Sequence, residues 1–399
     1  MRNNFYIDDP VKTVKFNLKE KFLDINYQAC NTCVMDSSIP GISFLKGICN
    51  FCISYEENSN KSKNKNFTNR NFKIIINQIK TENYKNKYDC ILGISGGVDS
   101  SYLALKCREW GLRTLLVQFD NGWNTEVASK NIELIQKKTK FDLVTEVVDW
   151  DEFKDLQLSF LKAGLVNIEA PSDHGIFATM YNVAARENIK YLFTGVNKST
   201  EYYFSDSSDL NNRYCFGYLY ADLFHIESVH KLFGNKKLLT FPKLSIYKKI
   251  YLDFFKIKKI EPLNYNPYIK ESAIKELIKK VNWKPYSSKH FESVITRFHQ
   301  SYILPVKFKI DKRLLHYSML IWSKQLKRSA AIRLLRKKIC DDKILIQDYY
   351  FFLKKMNLSK NQFKNLIFRK NSIFTNFPNQ YRIINLLKKI RHFFYLNRS

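Results

Sequence analysis

The stretch Cys90-Ile91-Leu92-Gly93-Ile94-Ser95-Gly96-Gly97-Val98-Asp99-Ser100-Ser101 constrains this chain more than any other. Residues 90–94 form a short apolar run of the kind that makes a buried parallel strand. Gly96 and Gly97 lack a Cβ, so backbone N–H groups there can turn inward and approach an anion. Asp99, Ser100 and Ser101 are candidate N-caps for a helix from residue 102, which has apolar Leu103, Leu105, Cys107 and Trp110. A strand, a tight glycine loop and a helix start together make a phosphate cradle, because the helix N-terminus offers unsatisfied N–H groups and a positive dipole end. The loop lacks the Gly-Lys-Ser/Thr ending of a Walker A motif.

The order of elements around this loop predicts the fold class. Residues 113–119, 142–148 and 190–194 read as further strands, and residues 125–138 and 151–164 as helices. Short apolar strands alternating with helices predict an α/β fold with a doubly wound parallel sheet, whose ligands bind beyond the carboxyl ends of the strands. At those ends lie Asp120 and the run Gly195-Val196-Asn197-Lys198-Ser199-Thr200-Glu201. Asp173 and His174 open a helix at the same edge, where Asp173 is either a cap or a functional group.

Upstream, Cys30 and Cys33 are separated by fifteen residues from Cys49 and Cys52. Two such pairs predict a four-thiolate Zn²⁺ site, structural because no coordination position stays open. Cys90, Cys107, Cys215 and Cys340 stand apart and read as ordinary thiols. The expected domains are a zinc-ribbon-like module (1–57), a polar linker (58–71), an α/β domain built on the glycine loop (72–245) and a mainly helical basic region (246–399). In the last, Lys289, His290, Glu292 and Arg297 form a dense set of anion and hydroxyl contacts, or else a solvated helix face.

The 66 basic and 37 acidic residues give a formal charge of +29. The basic residues are spread along the chain, so the charge reads first as an AT-rich composition and second as a sign of a polyanionic partner. No signal peptide and no apolar run long enough to span a bilayer are evident, so the expected location is the cytoplasm.

Ser95-Gly96-Gly97-Val98-Asp99-Ser100 resembles the SGGxDS signature of the PP-loop ATP pyrophosphatases. Three blocks together resemble one family within it, the N-acetyl sugar amidotransferases of bacterial surface-polysaccharide and nonulosonic-acid biosynthesis. The blocks are CNTCVMD…PGISF…GICNFC; YDCILGISGGVDSSYLA with EAPSDHGIFA and TGVNKSTE; and KHFESVITRFHQSYILPVKFKIDKR. Two departures stand out: the linker is rich in Asn and Lys, and the last seventy residues resemble no recognisable pattern. The resemblance implies that ATP adenylates the amide oxygen of a sugar N-acetyl group and that ammonia then displaces AMP to leave an acetamidino group. It implies that Ser95, Gly96, Gly97, Val98, Asp99, Ser100 and Ser101 hold ATP, with Asp120 and Gly195 beside them. Mg²⁺ would lie near Asp99 or Glu201. Asp173, His174, Glu201, Lys289, His290, Glu292 and Arg297 would serve the sugar or its protons. The chain has no glutaminase signature, so the family implies partner subunits resembling a glutaminase and a cyclase. Two rival readings are a tRNA-modifying PP-loop enzyme, of the thiolation or lysidine type, and a non-catalytic zinc-ribbon nucleotide-binding module. The intact loop argues against the last, and nucleic acid is not the expected partner.

Overall fold

The structure is a computed structural model and describes residues 9–20, 26–39, 41–62, 69–201, 221–265, 267–286, 291–384 and 386. Its elements in chain order begin with α1 (Pro10–Glu20), the hairpin β1 (Phe44–Leu45) and β2 (Ile48–Cys49), α2 (Asn50–Ser62) and α3 (Asn69–Glu82). The α/β core follows as β3 (Cys90–Gly93), α4 (Val98–Glu109), β4 (Thr114–Asp120), α5 (Glu126–Thr139), β5 (Leu143–Val147), α6 (Trp150–Ala163), α7 (Ala170–Arg186), β6 (Tyr191–Phe193), α8 (Leu223–Phe233), α9 (Ile246–Phe255) and β7 (Lys258–Ile260). Then come α10 (Lys270–Val281), α11 (Val294–Phe298), a π-helix (His299–Phe308), α12 (Arg313–Trp322), α13 (Arg328–Leu335), α14 (Asp342–Met356) and α15 (Lys360–Phe368).

The five-stranded sheet has the order β5-β4-β3-β6-β7, and every pairing is parallel. The alternation of side chains along each strand divides the hydrophobic core in two. Cys90, Leu92, Leu116, Tyr191 and Phe193 pack on one face against α3, α4, α5 and α10. Ile91, Leu115, Val117 and Leu192 pack on the other against α7 and α9. Strand order reverses between β3 and β6, and ligands of such sheets bind at that switch point. The fifth strand, β7, lies beyond residue 245, inside the region expected to be helical. With only three residues, two of them lysines, it carries too little apolar periodicity to stand out.

Helix α2 continues through Ser62, into the segment expected as linker; residues 63–68 lie outside the described residues. A helical layer of α1, α6, α8, α11, the π-helix, α14 and α15 encloses the largest apolar cluster, centred on Phe298, Tyr302, Tyr349, Phe352 and Phe363. The cysteine module does not stand alone. Its buried residues share a core with Leu314, Leu315, Met319 and Trp322 of α12. No helix among the described residues is long and apolar enough to cross a membrane.

Candidate active site

One cavity of about 640 Å³ opens at the switch point. The loop after β3 lines it through Ser95, Gly97, Val98, Asp99 and Ser100. Gly96 takes φ +77°, and a Cβ there would run into the Ala128 carbonyl. Its own carbonyl accepts from Trp283 Nε1 at 3.2 Å, Tyr286 OH at 3.2 Å and Asn131 Nδ2 at 3.4 Å. Three donors therefore fix that peptide plane beneath the loop. The N-cap of α4 is Gly97, not Asp99, Ser100 or Ser101, and no side chain caps the helix. Asp99 instead lies in the first turn, where Tyr268 OH donates to its Oδ1.

Ser95 and Ser100 hydroxyls stand 3.4 Å apart, and the Gly97 N–H points at Ser95 Oγ at 3.4 Å. A Cβ on Gly97 would come within 2.8 Å of Glu292 Oε1. One on Gly195 would come within 3.1 Å of the Ser100 backbone nitrogen. Glycine at both positions keeps the cradle open and lets the chain after β6 approach the first turn of α4. These features fit the phosphates of ATP: uncapped helix N–H groups, hydroxyls on the rim and space that any side chain would fill.

Opposite the cradle, Glu169 and Asp173 stand one turn apart at the start of α7, and both line the cavity. Glu169 is anchored. Thr296 Oγ1 donates to its Oε1, and Oε2 lies 3.1 Å from His299 Nδ1. His299 Nε2 donates to the Val166 carbonyl at 2.9 Å, which fixes the ring. Burial opposes charge on Glu169, but the bond and charge of His299, with Lys312 and Thr296, outweigh it and hold the carboxyl down at about 2. Asp173 goes the other way. Burial, and then the negative charge of Glu169, lift it to about 7; Lys312 and Asn167 pull down, and Glu201 pushes up. Neighbouring carboxylates with opposed shifts are the pattern of an acid–base pair.

The structure distributes the sequence-expected residues unevenly. Ser95, Gly97, Val98, Asp99, Ser100, Asp173, Gly195, Glu201 and Glu292 line the cavity. Gly96 and Ser101 lie in the wall behind it, with Ser101 fully buried. Asp120 ends β4, accepts from the Gly122 N–H at 2.8 Å and is not part of the lining. His174 is also outside it. Its Nδ1 donates to the Ala221 carbonyl at 2.8 Å, its Nε2 accepts from the Leu244 N–H at 3.2 Å, and its ring stacks on Phe241. Burial holds it at about 4, a neutral strut rather than a proton carrier. Arg297 forms a two-pronged ion pair with Asp348, Nε to Oδ2 at 2.6 Å and Nη2 to Oδ1 at 2.7 Å, away from the cavity. Lys289 and His290 lie outside the described residues. Sequence reasoning missed Glu169, Asn167, Lys312 and His299 as members of the site. Glu169 sits four residues before Asp173 and at helical spacing shares its face, the one signal that could have found it.

The cysteines form a compact cluster. Cys30 Sγ lies 3.8 Å from Cys52 Sγ, and Cys33 Sγ lies 3.7 Å from Cys49 Sγ. A tetrahedral zinc with bonds of about 2.3 Å places its sulfurs about 3.8 Å apart. Among the described residues this is the sole group of His, Cys, Asp and Glu close enough to share a metal ion. Backbone N–H groups of Thr32, Met35 and Cys49 point at the sulfurs, as thiolate acceptors require. Cys33 is held low by hydrogen bonding from Cys49 and then Cys52, while Cys49 and Cys52 are pushed up, first by sharing with Cys33. A divalent cation is what would let all four ionise together. Cys90, Cys107 and Cys340 are buried and unbridged; Cys215 lies outside the described residues.

Residues 292–391 match the family described as LPS biosynthesis protein WbpG-like, C-terminal domain. The match begins within the third of the blocks that carry the amidotransferase resemblance and supports that family; it also runs to residue 391, so most of the last seventy residues, expected to resemble nothing, fall within that domain. No curated protein matches the chain. Solved structures similar to it include an NMN synthetase from Francisella tularensis, 13% identical, covering 72% of this chain and 94% of that one with a TM-score of 0.29. An NH3-dependent NAD synthetase from Campylobacter jejuni is 14% identical, covering 67% of this chain and 96% of that one with a TM-score of 0.28.

Proposed function

We propose that the chain is an ATP-dependent amidotransferase that converts a sugar N-acetyl group to an acetamidino group in lipopolysaccharide O-antigen or pseudaminic/legionaminic-type acid biosynthesis. One observation carries this reading. The cavity whose one wall is the phosphate cradle takes another wall, through Glu292, Ser293, Thr296, Lys312 and His316, from the segment that matches the LPS biosynthesis domain. Nucleotide chemistry and the domain tied to polysaccharide assembly thus meet in one space.

In this reading the cradle of Ser95, Gly97 and Ser100 grips the pyrophosphate end of ATP, and Asp99 and Glu201 are the carboxylates for Mg²⁺, which would neutralise phosphate charge. The amide oxygen of the substrate attacks the α-phosphorus, and pyrophosphate leaves. The amide nitrogen gives up its proton in that step, and Asp173 is placed and tuned to receive it. Ammonia then adds to the activated carbon, and AMP departs with the oxygen. Glu169, held ionised by His299, keeps Asp173 basic enough for the task. The ammonia comes from glutaminase and cyclase-like partner subunits, which supply what this chain lacks.

Pyrophosphate release tests the proposal, with ATP, Mg²⁺ and ammonium chloride present and candidate acetamido sugars compared with bulk tRNA. Release that requires a sugar, with a product lighter by the difference between O and NH, establishes it. Release that requires tRNA, with every sugar unchanged, replaces it with the tRNA-modifying reading.

A further inference from the structure

Helix α12 has two working faces. Arg313, His316, Tyr317 and Leu320 line the cavity, with Lys312 at the N-cap. Leu314, Ser318, Met319 and Trp322 recur at helical spacing on the opposite face and meet the cysteine module. The contacts on that face are polar and directed at the cluster itself. Trp322 Nε1 donates to Cys52 Sγ at 3.1 Å. The Val34 N–H donates to Ser318 Oγ at 3.3 Å. From the start of α13, Arg328 donates through Nε to the Cys33 carbonyl and through Nη2 to the Cys30 carbonyl, both at 2.9 Å. Tyr55 of α2 stacks on the Trp322 ring with centroids 5.1 Å apart.

We propose that the metal-filled cysteine cluster positions the cavity wall formed by α12, so that thiophilic divalent metal, zinc by its ligand chemistry, governs a site whose reacting groups it never touches. The physical basis is the packing of α12 on the knuckles together with the Trp322 and Arg328 hydrogen bonds to Cys52, Cys33 and Cys30. A metal-bound thiolate is a strong acceptor for the indole N–H, and groups around a metal centre orient it and are oriented by it. Without metal the four buried thiolates repel or take up protons, the knuckles lose their fixed geometry and α12 loses the partner for four of its buried residues, Leu314, Leu315, Met319 and Trp322. Lys312, whose charge bears on both Glu169 and Asp173, sits at the end of that helix and moves with it.

The test uses the full-length metal-loaded protein, a chelator-stripped sample and the Trp322→Phe variant, which keeps an aromatic ring against Tyr55 while removing the N–H donor and the smaller ring of the indole. Metal content is measured alongside peptide-resolved hydrogen exchange. The expected result is faster exchange over residues 313–322 on stripping, with the strands at 90–93 and 114–120 unchanged. Trp322→Phe should retain its metal and show about tenfold faster exchange over the same helix, the effect of losing one hydrogen bond to a charged acceptor. Unchanged protection of 313–322 after complete metal removal would overturn the proposal. So would a uniform rise across the chain, since the metal would then hold the whole fold rather than one wall. Neither readout depends on the substrate, so failure here is separate from failure of the amidotransferase reading.

Discussion

Glu169 and Asp173 face one cavity from adjacent turns of α7, and their surroundings drive the two carboxyls apart, one down to about 2 and the other up to about 7. Asp173 acts as a base only when ionised, so turnover should rise with pH through about 7. Asp173→Asn should lower kcat by about a hundredfold or more. Glu169→Gln removes the nearby negative charge that helps raise Asp173, so the rising limb should shift to lower pH. A limb that stays in place in Glu169→Gln would show that the two carboxyls are not coupled.

The same residue should trade stability for activity. Because the folded protein raises Asp173 above its ordinary value, its contribution to stability is complete below about 4 and is lost as pH rises through 7. Asp173→Asn carries no such cost. At pH 8 its thermal midpoint should lie above that of the parent, by about 2 °C for each kcal/mol relieved, and the gap should narrow toward pH 4. A midpoint below the parent at pH 8 would contradict the tuned environment.

Gly96→Ala should break the cradle through the backbone. The position needs φ +77°, and the added methyl meets the Ala128 carbonyl of α5 rather than a movable side chain. A loss of about 2 kcal/mol or more is expected from the left-handed backbone and the clash together. Denaturant unfolding measures the first effect, and ATP titration by calorimetry should show binding lost. Gly97→Ala should be milder in stability, since what it meets is the end of Glu292.

Arg297 and Asp348 form a two-pronged ion pair in the helical layer, outside the lining of the cavity. Arg297→Met leaves the buried Asp348 carboxylate without its partner, at a cost of about 3 kcal/mol. Adding Asp348→Leu should recover most of that loss. Equilibrium unfolding of the single and double variants gives the comparison. Near-parental KM values for ATP and sugar in the double variant would confirm that Arg297 serves the helical layer alone.

What could be read from the sequence is what depends on local chemistry. The first four strands of the sheet, the glycine loop and the paired cysteines each carry their signal in a few consecutive residues. His174 and Arg297 misled because a histidine after an acid at a helix start and an arginine in a polar run look the same whether they face a ligand or a carbonyl. Only the fold shows that His174 spends both nitrogens on Ala221 and Leu244. Glu169 and Lys312 were hidden for the complementary reason. Glu169 takes its role from Thr296, His299 and Lys312, and Lys312 from Glu169 and Asp173, each more than a hundred residues distant, and no local pattern encodes such a meeting.

The cavity draws on the loop after β3, the start of α7, the segment after β6, the neighbourhood of Trp283 and Tyr286, and finally α12. Its walls therefore arrive in order as the chain emerges during synthesis. A polypeptide interrupted before residue 312 would have the loop after β3 and the facing start of α7 but not the wall that α12 supplies. Such a fragment would leave the cavity open on the side of Lys312, His316 and Leu320.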